Sequence, residues 1–324
     1  MIEEAVHKAG PEGVEAALRE ELARADAVAG TALPILRYLV SLEDDCLFGE
    51  DVLARVRGMI ADLAAEVLHA LAGEARPCGH VGGDVDVLTR AFVDDAALLS
   101  HVHALAVEWQ LTERLQLRLG LDPVFSPLLK EGMASVDPAV RHLASAFLAA
   151  QGRWCQVQRR MSLPLRDLPE AVREGVFAIL RKLVGRDGDL ADRLDRLHAA
   201  EGPSGLEPSR EALAARLVTA LAAAGAALSL PHAGLALFLS AVAGGCGATR
   251  DAVIGATHER QAARFALMLR AVGLPSASIT RALLALHPAG VPLPPLDPLQ
   301  PEQARALLAA APVLAPAAPV PAHT

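Results

Sequence analysis

Lysine is scarce in this chain, and so are aromatic side chains. Of 30 Lys and Arg residues all but Lys8, Lys130 and Lys182 are arginine, and Phe, Trp and Tyr together make up 3% of the sequence. Strands draw on aromatic and β-branched residues, whereas Ala, Leu, Arg and Glu cost little in a helix interior. The apolar half of the chain consists mainly of Ala, Leu and Val. This composition favours helix, and the arginine bias is typical of a GC-rich bacterial genome.

Paired cysteines are absent as well. Cys46, Cys78, Cys155 and Cys246 lie far apart, whereas structural zinc sites use closely spaced pairs. We therefore expect reduced thiols in a cytoplasmic protein. The acidic start, MIEEAVHKAG, has no apolar stretch of the kind a signal peptide needs.

Excess positive charge is also missing. The net charge is −8, which disfavours nucleic acid and anionic membranes as partners of the chain as a whole. Residues 217–249 carry no Asp, Glu, Lys or Arg. LPHAG at 230–234 divides that run into two pieces, each too short for the ~20 residues of a membrane span, so we expect a buried helix pair and no membrane span.

Apolar residues recur at helical spacing almost throughout, without a strand-like alternation of useful length. The sequence predicts an all-α protein, an irregular helical bundle with HEAT-like helix pairs. We expect an N-terminal helical region at 1–200, a C-terminal helical domain at 206–287 and a disordered Pro/Ala-rich tail at 288–324. One short helix, PEQARALLAAA, is expected within that tail.

Residues 126–151 read as one HEAT-like unit. An apolar helix is followed by Asp137, Pro138, Val140 and Arg141, and then by a second helix with Ala and Leu on its inner face. An array of such units needs neighbours of the same kind. Because no clean second copy follows, we expect packed helix pairs and not a regular solenoid.

A doubled unit follows in the C-terminal domain. ALFLSAVAGGCGATRDAVIGAT (236–257) and ALMLRAVGLPSASITRALLAL (266–286) each contain an apolar helix, a glycine-bearing turn and a second helix. The spacing of the first copy permits a helix-turn-helix, which would read DNA with Arg250 and Arg281. Phosphate binding needs several cations on one face, and these are few. We therefore favour stacked helical pairs in which glycine ends one helix and allows a tight turn to the next.

With the HEAT-like unit before them, these tandem pairs resemble an alphaproteobacterial family of all-helical, HEAT-like proteins of unknown function. The likeness covers about residues 120–290. It implies a helical protein of a bacterial cytoplasm, and it brings no catalytic residues with it.

Two Glu-x-x-His pairs are the candidates for metal binding. Glu4 with His7, and Glu66 with His69, place a carboxylate and an imidazole one turn apart, as in di-iron bundles. No earlier helix can supply the glutamate that should precede the first pair, and a fourth helix is missing. We therefore expect no metal or other cofactor and keep Glu66 and His69 as a third possibility.

The densest basic and aromatic segment is RWCQVQRR. Its residues Arg153, Trp154, Arg159 and Arg160 are the predicted site for a protein partner. No phosphate-binding loop or nucleophile motif occurs. The sequence thus favours a non-enzymatic protein-interaction or regulatory protein, with a DNA-binding regulator as the alternative.

Overall fold

The computed structural model describes residues 11–41, 50–72, 81–185, 187–201, 208–221 and 224–311. Within these ranges every regular element is helical, with fifteen α-helices and two 3-10 turns and without a strand. The all-α prediction is confirmed.

The first eight α-helices have these bounds: α1 Pro11–Ser41, α2 Glu50–Ala72, α3 Val81–Asp94, α4 Ala96–Leu119, α5 Pro127–Met133, α6 Pro138–Arg159, α7 Glu170–Val184 and α8 Gly188–Ala200. The others are α9 Arg210–Ala220, α10 Ala224–Ala227, α11 Leu230–Cys246, α12 Arg250–Ala256, α13 Ala262–Ala271, α14 Ser276–Leu286 and α15 Pro301–Ala310. The 3-10 turns are Leu165–Asp167 and Glu259–Gln261.

The chain divides into two compact units, each built from separated segments. Among the described residues, unit A contains those within 11–32, 107–149 and 211–311, and unit B contains those within 33–106 and 150–210. This grouping differs from the predicted division into 1–200 and 206–287. Residues 107–149 join the C-terminal helices because tertiary packing, which sequence order does not encode, decides the unit to which a helix belongs.

Unit B has its core around α2. Every third or fourth residue of α2 is buried, including Val56, Met59, Ile60 and Leu63. This is the apolar stripe that helical periodicity predicts. It packs against α3 and α8, and Phe92 and Phe177 are fully buried in the same cluster.

Unit A has its core around α11 and α13. Phe238 and Phe265 meet edge to face with ring centroids 6.4 Å apart, an arrangement that aromatic pairs favour. Ten of the seventeen residues from Leu230 to Cys246 are apolar and buried, and Ser240 is buried with them. The prediction that the uncharged run forms buried helices is met in this helix.

The helix junctions follow their sequence signals. Asp137 Oδ1 accepts the N–H of Ala139 at 2.8 Å at the start of α6, and Thr249 accepts the N–H of Ala252 at the start of α12, as N-caps do. Gly247 ends α11 with φ of 67°, and Gly273 follows α13 with φ of 90°. Glycine adopts such left-handed angles without strain. In both copies of the doubled unit, then, glycine ends the first helix and the chain turns into the next, as the stacked-pair interpretation expected.

Part of the predicted tail is packed in unit A. The expected short helix occurs as α15, which lies against α13, and Leu296, Leu299, Ala304 and Leu307 are buried. Residues 288–311 thus belong to the compact unit because their leucines recur often enough to bury one side. Residues 312–324 lie outside the described residues.

No single helix in the described ranges is both long and apolar enough to cross a bilayer. Helices α11 and α12 meet that criterion only when they are taken together, and they are bent by 108° at their junction.

Arginine side chains close many helix ends. Arg57 donates to the carbonyls of Leu39 and Val40 at the end of α1, and Arg193 donates to those of Leu71 and Ala72 at the end of α2. The last carbonyls of a helix have no partner within it and carry partial negative charge. A planar guanidinium with five N–H donors satisfies two such carbonyls at once.

Two adjacent glycines near the end of α11 have different surroundings. A Cβ on Gly245 would lie 2.6 Å from Cγ1 of Val272, whereas a Cβ on Gly244 would meet nothing within 4 Å. We expect Gly245→Ala to lower the free energy of unfolding by about 1–3 kcal/mol through overpacking. Gly244→Ala is the matched control, and it should be neutral or stabilising by up to about 1 kcal/mol because alanine favours helix. Chemical denaturation measures both, and equal effects would contradict the close approach at Gly245.

Candidate functional site

Arg250, the first residue of the DNA-binding alternative, is buried. Its side chain is 7% exposed and forms an ion pair with Glu108, which is 1% exposed, at 2.5 Å. Its Nη1 donates to the carbonyl of Ala236 at 2.8 Å and to Ser240 Oγ at 2.6 Å. One guanidinium therefore joins α4, α11 and α12 inside unit A.

The angle between α11 and α12 is that of a helix-turn-helix, but the second helix does not expose a face that could contact DNA bases. The 108° bend between α11 and α12 lies in the range such motifs use. Helix α12, however, has only seven residues, and Arg250, Val253, Ile254 and Ala256 are buried in it. Arg281 is exposed and donates to Ala277 and Ser278 of its own helix. The two arginines thus do not form one basic surface.

The buried pair should be strongly coupled. Arg250→Met leaves the Glu108 carboxylate buried without this cation, and we expect the free energy of unfolding to fall by about 3–5 kcal/mol. Adding Glu108→Leu to Arg250→Met should restore part of the loss, since it removes the stranded charge. A double-mutant cycle by denaturation gives the coupling energy. Additive effects of the two substitutions would contradict a direct buried pair.

The predicted partner site at RWCQVQRR is only partly on the surface. Arg153, Arg159 and Arg160 are exposed, but Trp154 is 8% exposed and buried. The Arg210 guanidinium lies 4.2 Å from the centroid of its ring, a cation–π contact. Trp154 is therefore a packing residue of unit B, and the expected combination of surface tryptophan with arginines does not occur.

The metal candidates Glu66 and His69 occupy an exposed side of α2. Glu66 Oε2 accepts the N–H of Leu165 at 2.9 Å, and the neighbouring Asp62 accepts that of Leu163. Partial desolvation raises the pKa of Glu66, and the Asp62 carboxylate adds to this. Within the described part of the chain these two residues belong to no group of three metal-ligating side chains. Glu4 and His7 lie outside the described residues.

A group of cationic and protonatable side chains gathers in unit A, and sequence reasoning did not single it out. We call Arg114, Arg118, His258, Arg260 and His287 the arginine–histidine cluster. Arg118 Nη1 donates to the carbonyl of Ala285 at 3.1 Å, and His287 Nε2 donates to that of Thr257 at 2.8 Å. These bonds bring α4, the end of α12 and the end of α14 together.

The charges of this cluster repel one another. Partial desolvation lowers the pKa of Arg114, and the like charge of Arg118 lowers it further. Desolvation is also the main cause that lowers the pKa values of His258 and His287, and the charge of Arg114 contributes to both. Among the described residues no carboxylate forms an ion pair with Arg114, Arg118 or Arg260, and Glu259 is the acidic residue that favours the charged imidazoles. The cluster can therefore accept an anionic group.

Exposed leucines accompany the cluster. Leu117 is 86% exposed and follows Arg114 by three residues on α4, the spacing at which two helix side chains are neighbours. Leu284 is 47% exposed on α14, one turn before His287. Arginines at 114 and 118 form a like-charge pair that destabilises an isolated helix. That pair, with an exposed leucine between its members, is the sequence signal that could have located this surface.

The imidazoles predict a pH dependence of stability. A histidine whose pKa is lowered on folding binds fewer protons in the folded chain, so stability is lost as the pH falls below its ordinary value of about 6.5. Around His287 lie Arg114 of α4, His258 and Glu259 of the neighbouring turn, and the Thr257 carbonyl. We expect His287→Gln to lose less stability on acidification than the wild type.

Urea denaturation at a series of pH values measures this difference. His142→Gln, at an exposed position of α6 in the same unit, is the matched control and should follow the wild type. Identical pH profiles for all three proteins would contradict the prediction.

Unit A also contains a cavity of about 590 Å³, within the range of small-molecule pockets. Most of its lining is small and apolar, including Ala241, Ala243, Gly244, Gly245 and Ala248. Its polar lining residues are Glu211, Thr219, Ser240, Arg250 and Arg305. The Nε of Arg250 is buried and has no hydrogen-bond partner within the described ranges.

Comparison with protein-family models, curated proteins and solved structures finds no match to this chain.

Proposed function

We propose that this is a non-enzymatic helical interaction protein that binds an acidic, partly apolar segment of a partner protein. The binding surface consists of the arginine–histidine cluster together with Leu117 and Leu284. We also propose that it is located in a bacterial cytoplasm and is related to the HEAT-like family that the sequence resembles.

The observation that carries this function is the grouping of the cationic side chains, which the bonds of Arg118 to Ala285 and of His287 to Thr257 bring together from three segments. Three arginines lie without an ion-pair partner among the described residues, and Arg118 lowers the pKa of Arg114. Carboxylates of a partner would relieve this repulsion and form charge-assisted hydrogen bonds with the guanidinium groups. Arginine is also enriched at the centres of protein interfaces.

The leucines favour a protein segment over other anions. An 86% exposed leucine between two arginines offers apolar area that a phosphate backbone cannot use, whereas an amphipathic helix buries it. The net charge of −8 also opposes a long polyanion. Nucleic acid is therefore the second candidate, and the cations it would use are those of the cluster, since Arg250 is buried.

A synthetic helix of about 15 residues, with glutamates along one edge and leucines beside them, is the probe. Fluorescence anisotropy with the full chain should detect binding that weakens as salt is added. A peptide with lysine in place of glutamate should not bind.

Two variants and their matched controls test the surface. Arg114→Glu combined with Arg118→Glu, and separately Leu117→Ser, should each weaken binding by about tenfold or more. Lys130→Glu and Val136→Ser are the controls, because both side chains are exposed elsewhere in unit A and Val136 is 96% exposed. Equal weakening by the controls, or no binding to the wild type, would contradict the proposal. Duplex DNA that binds more tightly than the peptide would support the second candidate instead.

A further inference from the structure

The lining of the cavity in unit A includes a glycine without close neighbours. Gly244 lines it from α11, and a Cβ at this position would meet nothing within 4 Å. Glycine within a helix costs about 0.5–1 kcal/mol relative to alanine. No packing contact requires it here, in contrast to the adjacent Gly245.

The cavity walls combine apolar surface with two opposite charges. Arg250 lines it, but Glu108 already balances that charge. Arg305 is exposed, and within the described residues its ion pair is with the exposed Glu302 at 3.4 Å, so its guanidinium can also bind an anionic group. Glu211 is the acidic lining residue. A cationic group is therefore favoured beside Glu211 and an anionic group beside Arg305.

Two polar groups in the cavity lining can still donate hydrogen bonds. The Ser240 side chain accepts from Arg250 at 2.6 Å, which leaves its hydroxyl proton available to an acceptor. Ser240 is 6% exposed. The buried Nε of Arg250, which has no partner within the described ranges, adds to this. Buried polar groups ordinarily have hydrogen-bond partners, so these atoms indicate a site built for a ligand with polar groups.

We infer that this cavity binds a small zwitterion with an apolar body, the chemistry of a free amino acid with a large apolar side chain. Its ammonium group pairs with Glu211, its carboxylate pairs with Arg305, and its side chain lies against the alanine and valine walls. The site is distinct from the arginine–histidine cluster and does not depend on it.

Four compounds of nearly one shape separate the possibilities. Phenylalanine carries both charges, phenylalanine amide carries only the cation, 3-phenylpropionate only the anion, and 3-phenylpropanol neither. Calorimetric titration of the full chain should show phenylalanine binding most tightly, by about tenfold over each singly charged analogue. Equal affinities for all four compounds would show that the cavity binds only their apolar part and would contradict a site for a zwitterion. Absence of phenylalanine binding would overturn the inference as well.

Three variants and two controls locate the binding. Gly244→Leu should abolish it by filling the cavity, whereas Gly244→Ala should retain most of it. Arg305→Gln should remove the preference for phenylalanine over its amide, and Glu211→Gln the preference over 3-phenylpropionate. Arg281→Gln, an exposed arginine outside the cavity lining, should change nothing. Unchanged binding in Gly244→Leu, with a native circular dichroism spectrum, would place the ligand elsewhere and contradict the inference.

Discussion

The structure of each unit depends on guanidinium groups that satisfy backbone carbonyls. In unit B, Arg57, Arg193 and Arg37 donate to carbonyls at the ends of α1, α2 and α3. In unit A, Arg264 donates to the carbonyl of Ala311, just after α15, and pairs with Asp26 of α1. Short helices joined by tight turns present many unpaired carbonyls, which an apolar core alone cannot satisfy. Lysine could not replace arginine at these positions, because an ammonium group lacks the planar fork that reaches two acceptors.

The arginines of unit A therefore fall into two groups, those that stabilise the fold and those that are accessible to a binding partner. Arg250 and Arg264 are buried and paired with carboxylates, so their charge is used within unit A. Arg114, Arg118 and Arg260 are exposed and have no such pair in the described part of the chain. The arginine–histidine cluster is therefore a local positive surface on a chain whose net charge is −8. The leucines beside it are the reason why we propose a protein ligand.

Composition and helical periodicity were sufficient to predict the all-α fold, the glycine turns after α11 and α13, and the Asp-Pro start of α6. These are local properties, decided by residues close in sequence. The placement of Arg250 was not predictable in the same way, because Glu108 lies 142 positions earlier in the chain. Trp154 and Arg210 illustrate the same limit, and so does the cluster, whose members come from three separate segments. Pairing with residues distant in the sequence decides whether an arginine is buried or accessible to a partner. No local sequence pattern predicts that pairing.

NMR mapping of the binding surface, the arginine–histidine cluster with Leu117 and Leu284, tests most directly the claim that this surface binds a partner protein. In the full chain with labelled leucine methyl groups, titration with the acidic amphipathic helix should shift the signals of Leu117 and Leu284. Buried leucines of unit B, such as Leu63, should be unaffected. Shifts confined to other leucines, or none while the peptide is bound, would contradict the assignment of this surface to a protein partner.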